Sequence, residues 1–198
     1  MMSVAIASRL LVVGLGNRGM DGTRHNLGSM IVQRVALRTR AVFRDQPNFR
    51  AKIATVPLTG ASDGRQVHLM LPETNMNASG EAVGLYARYY KIAPLDVVVV
   101  VDDMAYQVGD FRLQPSGGAG GHNGLADIER HLGSREYIRL RAGIGRAPYS
   151  FEDHVLGRFT AQELELLPVD RAADALIELM SGEFAQVATK YNTKREQV

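Results

Sequence analysis

At 198 residues, 45% hydrophobic and 22% charged, the chain has the size and balance of one globular domain able to bury a core. It has no cysteine, no apolar run near the roughly 18 residues of a membrane helix, and in MMSVAIASRL no basic start for a secretory signal. Disulfides, thiolate chemistry and membrane insertion are thereby excluded, and a cytoplasmic protein is expected. Net charge is only +2, yet 19 Arg stand against 4 Lys, and the planar guanidinium suits phosphate, which admits an acidic partner such as RNA.

Arg9 to Leu15 (RLLVVGL) reads as a buried strand ending in glycines. Asn26 to Ala41 sets Leu27, Met30, Ile31, Val35 and Leu37 along a helical stripe. Lys52 to Leu58 and Gln66 to Leu71 are short β-branched or alternating runs, an expected antiparallel pair about the turn at 62–64. Ser79 to Tyr90 is helical, with Val83, Leu85 or Tyr86, and Tyr89 or Tyr90 on one side. Five consecutive valines, Val97 to Val101, make a central strand covered on both faces. Phe111 to Leu113 suits an edge strand, and the SGGAGGHNG that follows is too glycine-rich for any element. Leu125 to Leu132 returns to helical spacing, Tyr137 to Ile144 reads as a strand, and Ala161 to Tyr191 as one or two amphipathic helices, with a lid loop at about 148–160. Strands alternating with helices predict a single-domain, three-layer α/β/α fold with a mixed, largely parallel twisted sheet; its core spans about 9–147 and its C-terminal helices about 161–191. Six basic residues between Arg34 and Lys52 face only Asp45, whereas Glu152 to Glu183 is acidic; a basic face opposite an acidic one is expected.

Ligands of open α/β sheets bind beyond the carboxyl ends of the strands. Those ends supply Gly16-Asn17, Asn75-Met76-Asn77 and Asp102-Asp103, and His25 and His122-Asn123 open helices that reach the same rim. A histidine, a carboxylate and three asparagines on one cleft have a chemical sense. The imidazole accepts a proton, the carboxylate fixes its tautomer, and the amides donate to a developing oxyanion. No Ser or Cys sits in a nucleophile elbow, so water is the expected nucleophile. Plainer readings stand beside these: Asp102 capping a turn, Asn17 supplying a positive φ. His68 and His131 are expected to be structural or solvated and His154 to lie in a loop; no histidine pair has ligand spacing on a helix, so no metal is expected.

Gly14-Leu15-Gly16-Asn17-Arg18-Gly19 fits the dinucleotide fingerprint in letters only. A loop, MDGTRHN, follows where a helix should open, and no acidic residue stands about 20 positions on. The run Gly117 to Gly124 lacks the Gly-Lys-Ser/Thr of a P-loop but offers backbone that a ligand can approach closely.

Several segments resemble the bacterial-type peptidyl-tRNA hydrolase family: GLGN at 14–17 with TRHN at 23–26, the pattern Thr74, Met76, Asn77, Ser79, Gly80, the strand running into Asp102-Asp103, GGAGGHNGL at 117–125, LRAGIGR at 140–146 and VLGRF at 155–159. Six motifs in order, colinear from about residue 9 to 160, make the likeness specific. It implies cleavage of the ester joining a peptide to the 3′-terminal ribose of tRNA, by a monomer that needs no cofactor or metal and meets the acceptor stem and CCA end. The compartment is the cytoplasm, or a mitochondrion or plastid in a eukaryote. By matching position His25 resembles the base, Asp102 the carboxylate that orients it, Asn17 and Asn77 the amides holding substrate, and Asn123 the amide placing water and oxyanion. His122 resembles a neighbouring substrate contact, with Asn75, Met76, Gly120 and Gly121 along the same path. Arg141 takes the place of a residue gripping the tRNA 5′-phosphate, with Arg112 its helper.

The chain departs from the family pattern in places. GNRG replaces GNPG, no Tyr lies between Asn17 and His25, Asn75 replaces an aromatic residue, DDMAYQVG replaces HDELDxPxG, and Gln114 falls where a second phosphate-gripping cation is usual. The family also includes plastid proteins recruited to intron splicing, so a non-catalytic RNA-binding relative is the alternative. Retention of His25, Asp102, Asn17, Asn77 and Asn123 favours the enzyme, because a binding module needs no base–carboxylate pair.

Overall fold

A computed structural model describes residues 9–57, 66–147 and 150–192. Among these residues seven strands form one sheet: β1 (Arg9–Gly14), β2 (Arg44–Gln46), β3 (Ala51–Val56), β4 (Gln66–Pro72), β5 (Val97–Asp103), β6 (Phe111–Gln114) and β7 (Ile138–Gly143). Their order is β2-β3-β4-β1-β5-β7-β6. The four inner strands β4, β1, β5 and β7 run parallel, and antiparallel β2–β3–β4 and β6–β7 pairings finish the two edges. This is the expected mixed sheet; the turn foreseen at 62–64 lies outside the described residues. The chain leaves β1 toward β4 on one side and later places β5 on the other, so β1 marks a topological switch point where a crevice opens beyond the strand ends.

Among the described residues seven α-helices flank the sheet: α1 (Leu27–Thr39), α2 (Ser79–Tyr90), α3 (Asn123–Leu132), α4 (Phe151–Leu156), α5 (Ala161–Leu166), α6 (Val169–Leu179) and α7 (Phe184–Tyr191). Side chains alternate between two cores. Leu10, Val12, Val98 and Val100 meet α1 and α6, whereas Leu11, Val13, Val97, Val99 and Val101 meet α2 and α3. All five valines of β5 are fully buried, which is why the run is continuous instead of alternating. Each is worth about 1.5–3 kcal/mol in transfer from water. The glycines of the first turn serve packing. A Cβ on Gly28 would sit 2.1 Å from the Val100 carbonyl oxygen, and one on Gly14 would sit 2.7 Å from that of Gly28, so α1 lies on β1 and β5 at backbone distance.

Four expectations need correction. Ala161 to Tyr191 holds three helices, because Pro168 forces Leu167 into an extended conformation and a turn at Ser181-Gly182 ends α6. The segment 148–160 is not a bare loop: α4 lies there, capped by Ser150, and carries His154, whose Nε2 is 3.1 Å from the carbonyl oxygens of Ile144 and Gly145; residues 148–149 lie outside the described ones. Leu37 is 72% exposed and belongs to no buried stripe. The separate basic and acidic faces do not exist. Packing of α6 on α1 sets Arg34 and Arg38 2.7 Å from Asp170 and pairs Arg38 with Asp174 as well. Arg50 pairs with Glu81, and Lys52 lies 3.6 Å from Glu73 and 3.9 Å from Asp45. Of the six cations, only Arg40 and Arg44 lack an ion-pair partner among the described residues.

Candidate active site

Asp102 is the penultimate residue of β5 at the rim, where each helical layer delivers one histidine to it. Thr23 to Leu27 passes through a 3-10 turn, Arg24–Asn26, into α1 and places His25 Nδ1 2.8 Å from Asp102 Oδ1. From the other layer His122, the N-cap of α3, places Nε2 3.2 Å from the same oxygen. The two rings lie 5.0 Å apart at 54°. All three side chains are buried. Burial alone would raise the carboxyl pKa, but hydrogen bonds from His122 and His25 outweigh it and hold Asp102 well below the usual carboxylate range. An ionised carboxylate only accepts, so each facing nitrogen carries a proton. His122 confirms this from its other side, because Nδ1 accepts the Leu125 N–H at 3.3 Å and so carries no proton. His25 therefore donates through Nδ1, leaving Nε2 as a free acceptor, the form that a general base requires.

The asparagines divide into two kinds. Asn17 is half-buried and already engaged: its carboxamide oxygen accepts the Met76 N–H at 2.8 Å, tying the end of β1 to the 3-10 turn Met76–Ala78 after β4. Asn26 in turn holds the Asn17 backbone through both atoms of its amide, at 2.8 and 3.0 Å. Asn75, Asn77 and Asn123 are exposed on the rim and make no hydrogen bond among the described side chains, which leaves their amides available. Met76 is buried beneath α3, and Gly124 permits this, since a Cβ there would stand 2.7 Å from the Met76 sulfur. Gly120 and Gly121, exposed with φ of 61° and 83°, carry the turn that leads to His122.

The cationic positions are less free than the sequence suggested. The Arg141 side chain is only 13% exposed; it lies 2.9 Å from Asp103 and donates to the Gly118 and Ala119 carbonyls at 2.8 and 3.3 Å. Arg112 stands directly across the β6–β7 register from Arg141, half-buried and without an ion-pair partner among the described residues, and Gln114 opposes Arg139 in the same register. A cleft of about 410 Å³ runs beside Asp102 and His122 and is bordered by Gly121, Arg141, Arg146 and Phe151. A second, of about 480 Å³, opens on the Asn17 side.

Sequence reasoning overlooked four residues here. Asn26 and Arg24 flank His25 inside TRHN, where their meaning was legible only as motif letters. Arg24 is buried; its guanidinium lies over Phe159 and makes a two-pronged contact with Glu163 at 2.7 and 2.8 Å, while its N–H meets the Gly157 carbonyl. The segment from Gly157 to Glu163 is thus stapled to the residue preceding His25. Arg146 and Phe151 border the cleft from outside the elements the sequence pattern predicts, so no periodic signal marked them. His68 and His131 are structural as expected: His68 meets the Tyr86 hydroxyl in a buried pair, and His131 Nδ1 lies 2.9 Å from the Asp127 carbonyl oxygen of its own helix. One expectation changes in scope. Among the described residues no histidine pair has ligand spacing on a helix, yet His25, Asp102 and His122 bring three potential ligand atoms within 4.8 Å of one another. Their mutual hydrogen bonds already occupy those atoms.

Comparison with known proteins agrees with this architecture. A family model described as peptidyl-tRNA hydrolase matches residues 11–198. Proteins of that name from Methylococcus capsulatus and Bacillus cereus are 40% and 39% identical over 186 and 189 residues, covering 91% and 92% of this chain and 97% and 99% of theirs. The crystal structure of the peptidyl-tRNA hydrolase from Acinetobacter baumannii superposes with a TM-score of 0.87 at 32% identity, over 98% of this chain and 99% of that one.

Proposed function

Taking as premise that the chain belongs to the peptidyl-tRNA hydrolase family, we propose that it hydrolyses the ester between a peptide and the 3′-terminal ribose of tRNA, with His25 as general base. The observation that carries this is the 2.8 Å contact of His25 Nδ1 with Asp102, a carboxyl held below its ordinary range by its two histidine partners, which leaves Nε2 as acceptor at the rim. Water gives a proton to Nε2 as its oxygen bonds to the ester carbonyl carbon. The resulting oxyanion is met by the Asn123 amide and a backbone N–H of the glycine turn. On collapse the C–O3′ bond breaks, the proton passes from His25 to the leaving ribose oxygen, and free peptide and tRNA result. Asn17 braces the Met76–Ala78 turn, and Asn77 with its neighbours Asn75 and Met76 receives the peptide main chain.

Phosphate contact falls first to Arg112, whose guanidinium is uncommitted, with Arg141 beside it lending field while it holds Asp103. Gln114 offers a neutral hydrogen bond on the same edge. Every residue given a role above belongs to this one chain, and the acting form in this reading is a monomer that works wherever translation supplies its substrate. No helix among the described residues is long and apolar enough to cross a membrane.

The test is cleavage of N-acetylaminoacyl-tRNA beside free aminoacyl-tRNA. We expect cleavage of the blocked ester alone, falling by about 10²–10⁴-fold in His25→Ala. Tight tRNA binding with no cleavage by the wild-type chain would refute the reading.

A further inference from the structure

Arg139 is the largest fully buried side chain among the described residues, and the chemistry above does not use it. It lies on β7 in register with Val99, beneath the glycine loop that precedes α3. Its Nη1 donates to the carbonyls of Tyr137 and Arg135 at 3.2 and 3.3 Å, and its Nη2 donates to the Gly117 carbonyl. The guanidinium stacks 3.9 Å over the Tyr137 ring, its Nε is unpartnered, and its one carboxylate neighbour, Glu129, is 3.5 Å away. Such a loosely compensated buried cation is costly, and an apolar residue would fill the site at less expense. A stability role therefore does not account for it.

The loop above does. Gly117, Gly120 and Gly121 all have positive φ, and the run has almost no side chain with which to pack, so it does not define its own shape. Three successive carbonyls are instead held from below, Gly117 by Arg139 and Gly118 and Ala119 by Arg141. The Ala119 carbonyl also accepts the His122 N–H at 3.1 Å, ending the loop where α3 begins with His122 and Asn123. Glu129, further along α3, returns to Arg139. Loop and helix are thus both referenced to one guanidinium.

We propose that Arg139, together with Glu129, is a positioning residue for the ester cleavage, fixing the glycine loop so that Asn123 stands where the oxyanion forms. This rests on the role given above to Asn123. The experiment compares wild type, Arg139→Lys, Asn123→Ala and the double variant in single-turnover cleavage of N-acetylaminoacyl-tRNA, with amide exchange read over 117–122. Lysine keeps the cation beside Glu129 but cannot reach several carbonyls at once. The expected result is a kcat loss of about 10²-fold in Arg139→Lys with KM nearly kept, faster exchange in the loop, and a double variant no slower than the slower single one. Losses that multiply in the double variant, or wild-type kcat in Arg139→Lys, overturn the proposal. If Asn123→Ala alone stays fully active, the role of Asn123 fails, and loop exchange unchanged in Arg139→Lys then overturns the brace as well. Should Arg139→Lys not fold, Glu129→Gln removes the carboxylate charge beside the same guanidinium and replaces it in every comparison.

Discussion

Asp102→Asn removes one charge at constant size, and the geometry sets how much that costs. Two N–H donors, His25 Nδ1 at 2.8 Å and His122 Nε2 at 3.2 Å, converge on Oδ1, while Oδ2 meets no side-chain donor among the described residues. An asparagine therefore settles with its oxygen at the Oδ1 position, because the opposite orientation would face two N–H groups with a third. The tautomer of His25 survives and only charge assistance is lost. A hydrogen bond to a charged group is worth about 1.5–3 kcal/mol against about 0.5–1.5 for a neutral one. The difference, about 1–2 kcal/mol at the moment His25 becomes imidazolium, slows cleavage roughly 5- to 30-fold. Removing His122 as well abolishes the second donor that selects the amide orientation. The amide nitrogen can then turn to His25, moving the proton to Nε2 and destroying the base; the like change in a Ser-His-Asp triad costs about 10⁴-fold. The assay is single-turnover cleavage of N-acetylaminoacyl-tRNA by Asp102→Asn, His122→Ala and the double variant. The double variant is expected to fall far below the product of the singles. An Asp102→Asn enzyme already as slow as the double variant would refute the shared-oxygen reasoning.

Three further outcomes follow from the packing and charge. Gly28→Ala forces a Cβ to 2.1 Å from the Val100 carbonyl oxygen and should destabilise by at least about 1–3 kcal/mol, whereas Gly118→Ala, with open space around it, should leave the melting temperature nearly unchanged; equal stabilities would contradict backbone-close packing of α1. Arg112→Ala should weaken tRNA binding and reduce the slope of log K against log salt by about 1, and a slope identical to wild type would remove Arg112 from the interface. Burial, aided by Arg9, lowers the pKa of His68 below its ordinary 6.5, so the unfolded chain takes up a proton that the native one refuses. Stability should accordingly be full above about pH 6.5 and decline as pH falls toward the native value; His68→Phe should flatten that decline in a thermal titration, and an undiminished slope would show that His68 does not cause it.

The elements and the rim residues were legible in the sequence because both depend on local order. Alternation and the valine run follow from a sheet covered on two faces, and residues placed directly after β1, β4 and β5 must lie at one rim once those strands run parallel. Asn17, Asn77 and Asp102 needed little more than that, and His25 only the helix that opens beside it. The break at Pro168 was equally local and was passed over; a proline with its extended predecessor ends a helix whatever surrounds it. Partnership, by contrast, came from tertiary structure. Arg34 and Arg38 looked like a basic face until α6 packed against α1 and neutralised them. His122 stood in the sequence as a substrate contact, yet its Nε2 points at Asp102, because α3 enters from the layer opposite α1. Arg139 gave no signal at all, since a strand position tells which face a side chain takes but not whether a glycine loop lies over it. By itself the sequence determined which chemical groups the rim holds. Only the tertiary structure decided which of them share an oxygen, a carbonyl or a charge, because hydrogen bonds and ion pairs act over a few ångströms between residues that the chain order keeps up to 139 positions apart.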